Sequence, residues 1–225
     1  MRALDVDFAR ARRFMRDGQL TPNGVTDTVL LDAMEAIPRE AFLPPGMRDR
    51  AYADEAVPLP GGRALMAPMV LARLLQMALP QPGERVLVLA AGTGYGAAVL
   101  ARMGLRVLGI ESDAALASAA RHSLQVSLTE SHPEIEVGDP RLGAPPGAPF
   151  RLILIEGAVD HVPQALFAQL AEGGRLVTIR RMPQQRGVGR AVLYRRIGGA
   201  ISEIEGLDAA APLLAEFATP PGFIL

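Results

Sequence analysis

The chain has 225 residues, 49% of them hydrophobic and 21% charged, with a formal net charge of −1; this suits one globular unit with a full core and makes no electrostatic case for nucleic acid. Cysteine is absent, which excludes disulfides, thiolate catalysis and cysteine-based zinc sites together. The opening MRALDVDFARARRF lacks the apolar core of a signal peptide, and no stretch reaches the roughly 18 uninterrupted apolar residues of a membrane span, so a cytoplasmic protein with no membrane partner is expected.

Helical spacing covers residues 3 to 17 and 27 to 37, joined by the turn-rich GQLTPNG, with Asp27 placed to cap the second helix and Pro38 to end it. From Arg39 to Pro68 the pattern is irregular and proline-rich, too long for a simple connection and therefore functional or disordered. Buried-looking Phe42 and Tyr52 favour order. A helix is predicted from about Met69 to Leu79. Short apolar runs then alternate with helical segments. RVLVLA is a strand, Tyr95 to Met103 a helix, LRVLGIE a strand and Asp113 to about Val126 a helix. EIEVGD and FRLILIEGA are further strands, a helix lies around Pro163 to Leu170, and GGRLVTI is a fifth strand. This rhythm predicts a doubly wound parallel sheet. GRAVLYRRIGGAISEIEG reads as two strands about a Gly-Gly turn, giving an antiparallel edge. Residues 1–80 form an N-terminal helical and loop extension on a nucleotide-binding core of residues 81–225, one structural unit.

In such a sheet the first strand-to-helix turn is the usual ligand site. Gly92 and Gly94 allow a sharp turn and close approach of the backbone. Glu111 ends the second strand, 19 residues beyond Gly92, where a carboxylate accepts from both hydroxyls of a ribose. Asp139, after the third strand, is placed to reach an adenine amino group. GTGYGA also fits a dinucleotide fingerprint, so a nicotinamide oxidoreductase stays open on these residues alone. Glu156 ends the fourth strand and can face a cofactor there. His122, His132 and His161 are scattered without metal-ligand spacing, so no metal is expected.

REAFLP, AYADEAVPLPGGR, PMVLARLL, GTGYGAAVLA, IE, GD and QLAEGGRLV stand in the order and spacing of a known family. On them the chain resembles the protein-L-isoaspartate O-methyltransferases, class I S-adenosylmethionine enzymes. The resemblance implies an α/β, mostly parallel, seven-stranded Rossmann-like methyltransferase sheet with an antiparallel edge strand. It implies S-adenosyl-L-methionine as cofactor and the carboxylate of isoaspartyl residues in damaged proteins as methyl acceptor. The methionine end would lie over Ala90, Ala91, Gly92, Thr93, Gly94 and Tyr95, the ribose on Glu111 beside Ser112, and the adenine near Asp139.

Departures from the family pattern centre on the acceptor. The family carries Gly-Gln-x-Ile-Ser-x-Pro, with a serine on the acceptor carboxylate, where this chain has Gly62-Arg63-Ala64-Leu65-Met66-Ala67-Pro68. Met66 offers no hydrogen-bond donor, and Arg63 is the nearby candidate to replace it. Val88 stands where a carboxylate usually organises the cofactor's polar end, Ala90 where glycine is usual, and Arg151 where aspartate is. A second reading follows from them: a protein that binds the cofactor without isoaspartate repair, or that uses another acceptor.

Overall fold

A computed structural model describes residues 7–130, 132–181 and 187–219. Helix α1 (Phe8–Phe14) opens on Asp7, whose side chain accepts from the Arg10 amide. It runs on through a π-helical segment, Met15–Leu20, so the first half of the expected GQLTPNG link is helical. The reason is burial: Met15 and Leu20 are fully enclosed, which offsets the poor helix propensity of Gly18. Positions 3–6 of the expected first helix lie outside the described residues. Helix α2 (Thr28–Ala36) is capped by Asp27, which accepts from the Leu30 amide at 3.1 Å.

The proline-rich segment is ordered by short 3₁₀ turns and a two-residue hairpin, β1 (Val57–Pro58) against β2 (Ala64–Leu65). Helix α3 (Pro68–Ala78) begins with Pro68 in its first turn, where the missing N–H costs nothing. Leu79 caps its far end at φ +48°, and the Ala78 and Leu79 carbonyls there accept from buried Arg175 at 2.7 and 3.0 Å.

The core then alternates β3 (Arg85–Leu89), α4 (Tyr95–Arg102), β4 (Arg106–Glu111), α5 (Ala114–Ser127), β5 (Glu134–Val137) and β6 (Phe150–Val159). It ends with α6 (Gln164–Ala168), β7 (Leu170–Arg180), β8 (Gly189–Ile197) and β9 (Ala200–Ala209). The seven strands lie in the order β5-β4-β3-β6-β7-β8-β9. β3 through β7 pair in parallel, and β8 runs antiparallel to both β7 and β9. The order reverses between β3 and β6, a switch point where the carboxyl ends of the strands leave a crevice.

Alternation along β3 assigns the two faces. Val86 and Val88 join a core built with the N-terminal helices, α3, α4 and α5. Leu87 and Leu89 face a smaller core closed by Leu166 of α6 and by Leu214 and Phe217 of the C-terminal segment. That segment is pinned across the top of β6 by mutual backbone bonds: the Ala158 amide donates to the Pro212 carbonyl and the Leu214 amide to the Ala158 carbonyl, both at 2.9 Å. No helix among the described residues is long and apolar enough to cross a membrane.

Candidate functional site

The turn after β3 is built from left-handed backbone: φ is +54° at Ala90, +54° at Gly92 and +90° at Gly94. Ala90 therefore holds a conformation that costs an L-residue about 1–2 kcal/mol. The Thr93 hydroxyl fastens the turn to the proline-rich segment by donating to the Phe42 carbonyl at 2.7 Å. A side chain on Gly92 would meet Leu59, and one on Gly94 would point at Ala120 and Leu124 of α5 rather than into the crevice. The bare face of Gly94 thus serves helix packing.

Glu111, wholly buried at the end of β4, aims its carboxylate back at this turn. Its Oε2 accepts from the Gly92 amide at 2.8 Å and its Oε1 from the Asp113 amide at 3.0 Å. Each oxygen also accepts from Arg63: Nε donates to Oε2 at 3.1 Å and Nη2 to Oε1 at 2.9 Å. The other edge of the same guanidinium holds Glu216, with Nη1 at 3.1 Å and Nη2 at 2.6 Å from its two oxygens. Ser112 completes the knot: its hydroxyl accepts from Arg63 at 2.9 Å and donates to Glu216 at 2.6 Å. Contact with Arg63 and then Ser112 outweighs partial burial and holds the Glu216 carboxyl down at about 2. Burial works against charge on Arg63, but its bonds to Glu216 and Glu111 prevail and raise its pKa.

A second polar cluster lies beneath the turn. Arg39 is completely buried; it donates from Nε to the Ala51 carbonyl at 2.7 Å and from Nη2 to the Met66 carbonyl, and its Nη1 has no hydrogen-bond partner among the described residues. Its guanidinium sits 4.9 Å from the Tyr95 ring centroid, a cation–π contact. The Tyr95 hydroxyl and Oε1 of Glu156 are likewise buried without hydrogen-bond partners among the described residues. Burial pushes the Glu156 carboxyl up to about 8, with Arg39 opposing and Glu111 reinforcing the shift. β3 pairs Val88 with Leu154, β6 is irregular between Leu154 and Ala158, and the Glu156 carboxyl lies against Gly96 of α4, the helix whose residues share a core with Val88. Met66 is 2% exposed, its side chain packed into the core.

The structure thus gathers Ala90, Ala91, Gly92, Thr93, Gly94, Tyr95, Glu111, Ser112, Arg63, Met66 and Glu156 around the carboxyl end of β3. Asp139 follows β5, within electrostatic reach of Glu216, half-exposed and held by Arg141, whose Nε and Nη2 donate to it at 3.0 and 2.6 Å. That contact, with the Arg141 amide, lowers the Asp139 pKa. Arg39, Gly96 and Glu216 escape sequence reasoning. The first two sit inside quoted motifs without a pattern of their own, and nothing near Glu216 marks it.

Comparison with known proteins places the chain. The protein-L-isoaspartate(D-aspartate) O-methyltransferase (PCMT) family matches residues 15–199. The chain is 45% identical over 172 residues to the protein-L-isoaspartate O-methyltransferase of Methylorubrum extorquens, covering 76% of this chain and 74% of that one. It is 42% identical over 170 residues to that of Koribacter versatilis, with 76% of each chain covered. A solved protein-L-isoaspartate O-methyltransferase superposes with a TM-score of 0.78 at 26% identity, over 91% of this chain and 66% of the other. A second structure, from Plasmodium falciparum and in complex with S-adenosyl-L-homocysteine, shares the fold with a TM-score of 0.78 at 17% identity, over 94% of this chain and all of that one. The chain belongs to the protein-L-isoaspartate(D-aspartate) O-methyltransferase family.

Proposed function

We propose that the crevice beside β3 is where this chain performs the reaction of its family, methylation of isoaspartyl carboxylates from S-adenosylmethionine. The observation that carries the reading is Glu111, a fully buried carboxylate at the end of β4 aimed at a left-handed turn. The residues fit the cofactor. Glu111 supplies acceptors for a ribose diol once Arg63 withdraws. Glu156 supplies a buried carboxyl beside the turn, against Gly96 of α4.

When bound, the cofactor supplies an electrophilic methyl group on a sulfonium. The acceptor carboxylate is ionised at neutral pH, so the chain needs no general base. Its work is to align one carboxylate oxygen and to exclude water. Tyr95, Thr93 and the turn amides wall the methionine end, Glu111 with Ser112 anchors the ribose, and Asp139 serves the adenine. The loop carrying Arg63 and Met66 faces the acceptor. Isoaspartyl-containing proteins or peptides are the acceptors. The same reading places the enzyme in the cytoplasm with no membrane or nucleic-acid partner.

Calorimetry with S-adenosylhomocysteine, followed by methyl transfer to an isoaspartyl peptide and to its aspartyl isomer, tests the reading. Binding together with transfer confined to the isoaspartyl peptide is the expected result. Absence of binding overturns it.

A further inference from the structure

We propose that Arg63 is a latch on Glu111 that a ribose diol displaces, and that the freed guanidinium edge then holds the acceptor carboxylate. The proposal rests on the functional reading above and adds an order of events to it.

The lone pairs of Glu111 are fully subscribed. Oε1 accepts from Asp113 N and Arg63 Nη2, and Oε2 from Gly92 N and Arg63 Nε, which fills the sites a carboxylate offers. The two backbone donors are fixed by the turn and by the start of α5. Ser112 Oγ also stands 3.4 Å from Oε1 but gives its proton to Glu216, so Arg63 is the charged partner that can leave, and it occupies the pair of acceptor sites that a vicinal diol needs. It also has somewhere to remain. Glu216, 21% exposed in its side chain, grips the opposite edge and can keep the charge paired while Glu111 changes partners. Gly61 and Gly62, at φ +66° and +75°, precede Arg63 and supply the backbone freedom for the swing.

The edge so released, Nε with Nη2, has just bound a carboxylate in fork geometry. The acceptor is a carboxylate, and Met66, three residues along the same loop, cannot donate to it. Arg63 therefore serves two carboxylates in sequence, Glu111 before the cofactor enters and the acceptor afterwards, so cofactor binding precedes acceptor binding. Glu216 lies in the C-terminal segment, beyond residues 15–199 that match the family.

The test exploits opposite signs. Arg63→Gln should bind S-adenosylhomocysteine about tenfold more tightly, because the competing guanidinium is gone. The same variant should raise KM for an isoaspartyl peptide about tenfold or more, with a smaller change in kcat, because a charge-assisted bond to the acceptor is lost. A residue with only a structural role would weaken both. Glu216→Gln is the second variant, removing the carboxylate that keeps Arg63 paired when Glu111 changes partners. It should weaken S-adenosylhomocysteine binding on its own, because Glu111 is then the only carboxylate left to Arg63, and have little effect on binding when added to Arg63→Gln. In the unmodified protein S-adenosylhomocysteine should hasten tryptic cleavage after Arg63, read by mass spectrometry, whereas ligands ordinarily protect. Binding that Arg63→Gln leaves unchanged or weakened overturns the latch alone, as does ligand protection of Arg63. Absence of binding in both the unmodified protein and Arg63→Gln overturns the functional reading and the latch with it.

Discussion

Oε1 of Glu156 lies 2.2 Å, and its Cδ 2.8 Å, from where a Cβ would stand on Gly96. The carboxyl of β6 is laid directly on the first turn of α4, in space that exists because residue 96 has no side chain. Glycine is needed here for close approach, since its backbone is helical. The same contact holds that carboxyl next to Tyr95 and the turn.

Gly96→Ala should therefore overpack the site and cost about 1–3 kcal/mol, read by thermal melts. Shortening the intruding side chain should restore most of that loss, so Glu156→Ala is expected to rescue Gly96→Ala. Additive losses in the double variant would show that the two residues do not meet.

Glu156 also sets a pH dependence. Its carboxyl titrates near 8 in the folded chain, against 4.5 when free. Between those values the folded state holds a proton that the unfolded state has lost, so stability falls with rising pH, by ~1.4 kcal/mol per unit, and levels off above the folded pKa. Arg39, which favours the charged form, and Glu111, which opposes it, are the charged groups facing it. Glu156→Gln removes the titration. It should match the unmodified protein in urea melts at pH 5 and exceed it at pH 9; parallel pH curves would contradict this account.

Glu111→Ala should weaken S-adenosylhomocysteine binding at least about tenfold, the equivalent of a lost charge-assisted bond. It should also cost stability, because Arg63, 5% exposed, then keeps Glu216 as its sole carboxylate and breaking a buried pair is expensive. Calorimetry beside circular dichroism separates the two effects. Unchanged affinity in a folded variant would remove Glu111 from the ribose site.

Met66→Ser carries two opposed expectations. The side chain is core-packed at 2% exposure, so its loss should lower stability by about 2–5 kcal/mol. The new hydroxyl gives the acceptor a donor, and transfer per folded molecule should rise about tenfold, the equivalent of ~1.4 kcal/mol at the barrier. Transfer assays at a temperature well below the variant's melting point decide it. No gain there would assign acceptor alignment to Arg63 alone.

The elements that could be read in advance are those written in local periodicity. β3, α4, β4 and α5 follow from alternating or helical spacing and stand within a residue or two of expectation, and Asp27 and Asp113 cap their helices as acceptors of backbone N–H groups. Glu111 was legible because strand end and glycine turn are close in sequence. The Arg63–Glu216 contact spans 153 residues, and no local pattern encodes such a distance. Arg39 was hidden for another reason: arginine is a surface residue by composition, and only the folded chain shows the carbonyls of Ala51 and Met66 that let it be buried. The Met15–Leu20 turns were missed because burial overrode a glycine within them.

Arg39 also defines what can be exchanged between relatives. Its amide bonds the Tyr52 hydroxyl at 3.2 Å and its guanidinium bonds the carbonyls of Ala51 and Met66, so the start and end of the proline-rich segment share one charge. A chimera that grafts residues 45–67 from another protein onto this scaffold inherits a guanidinium it was not shaped to receive. Should the incoming carbonyls miss it, the result is an uncompensated buried cation, worth several kcal/mol of stability. The transplantable cassette runs from Arg39 to Met66, and a shuffled library that respects that boundary will keep folded members where one cut within it will not.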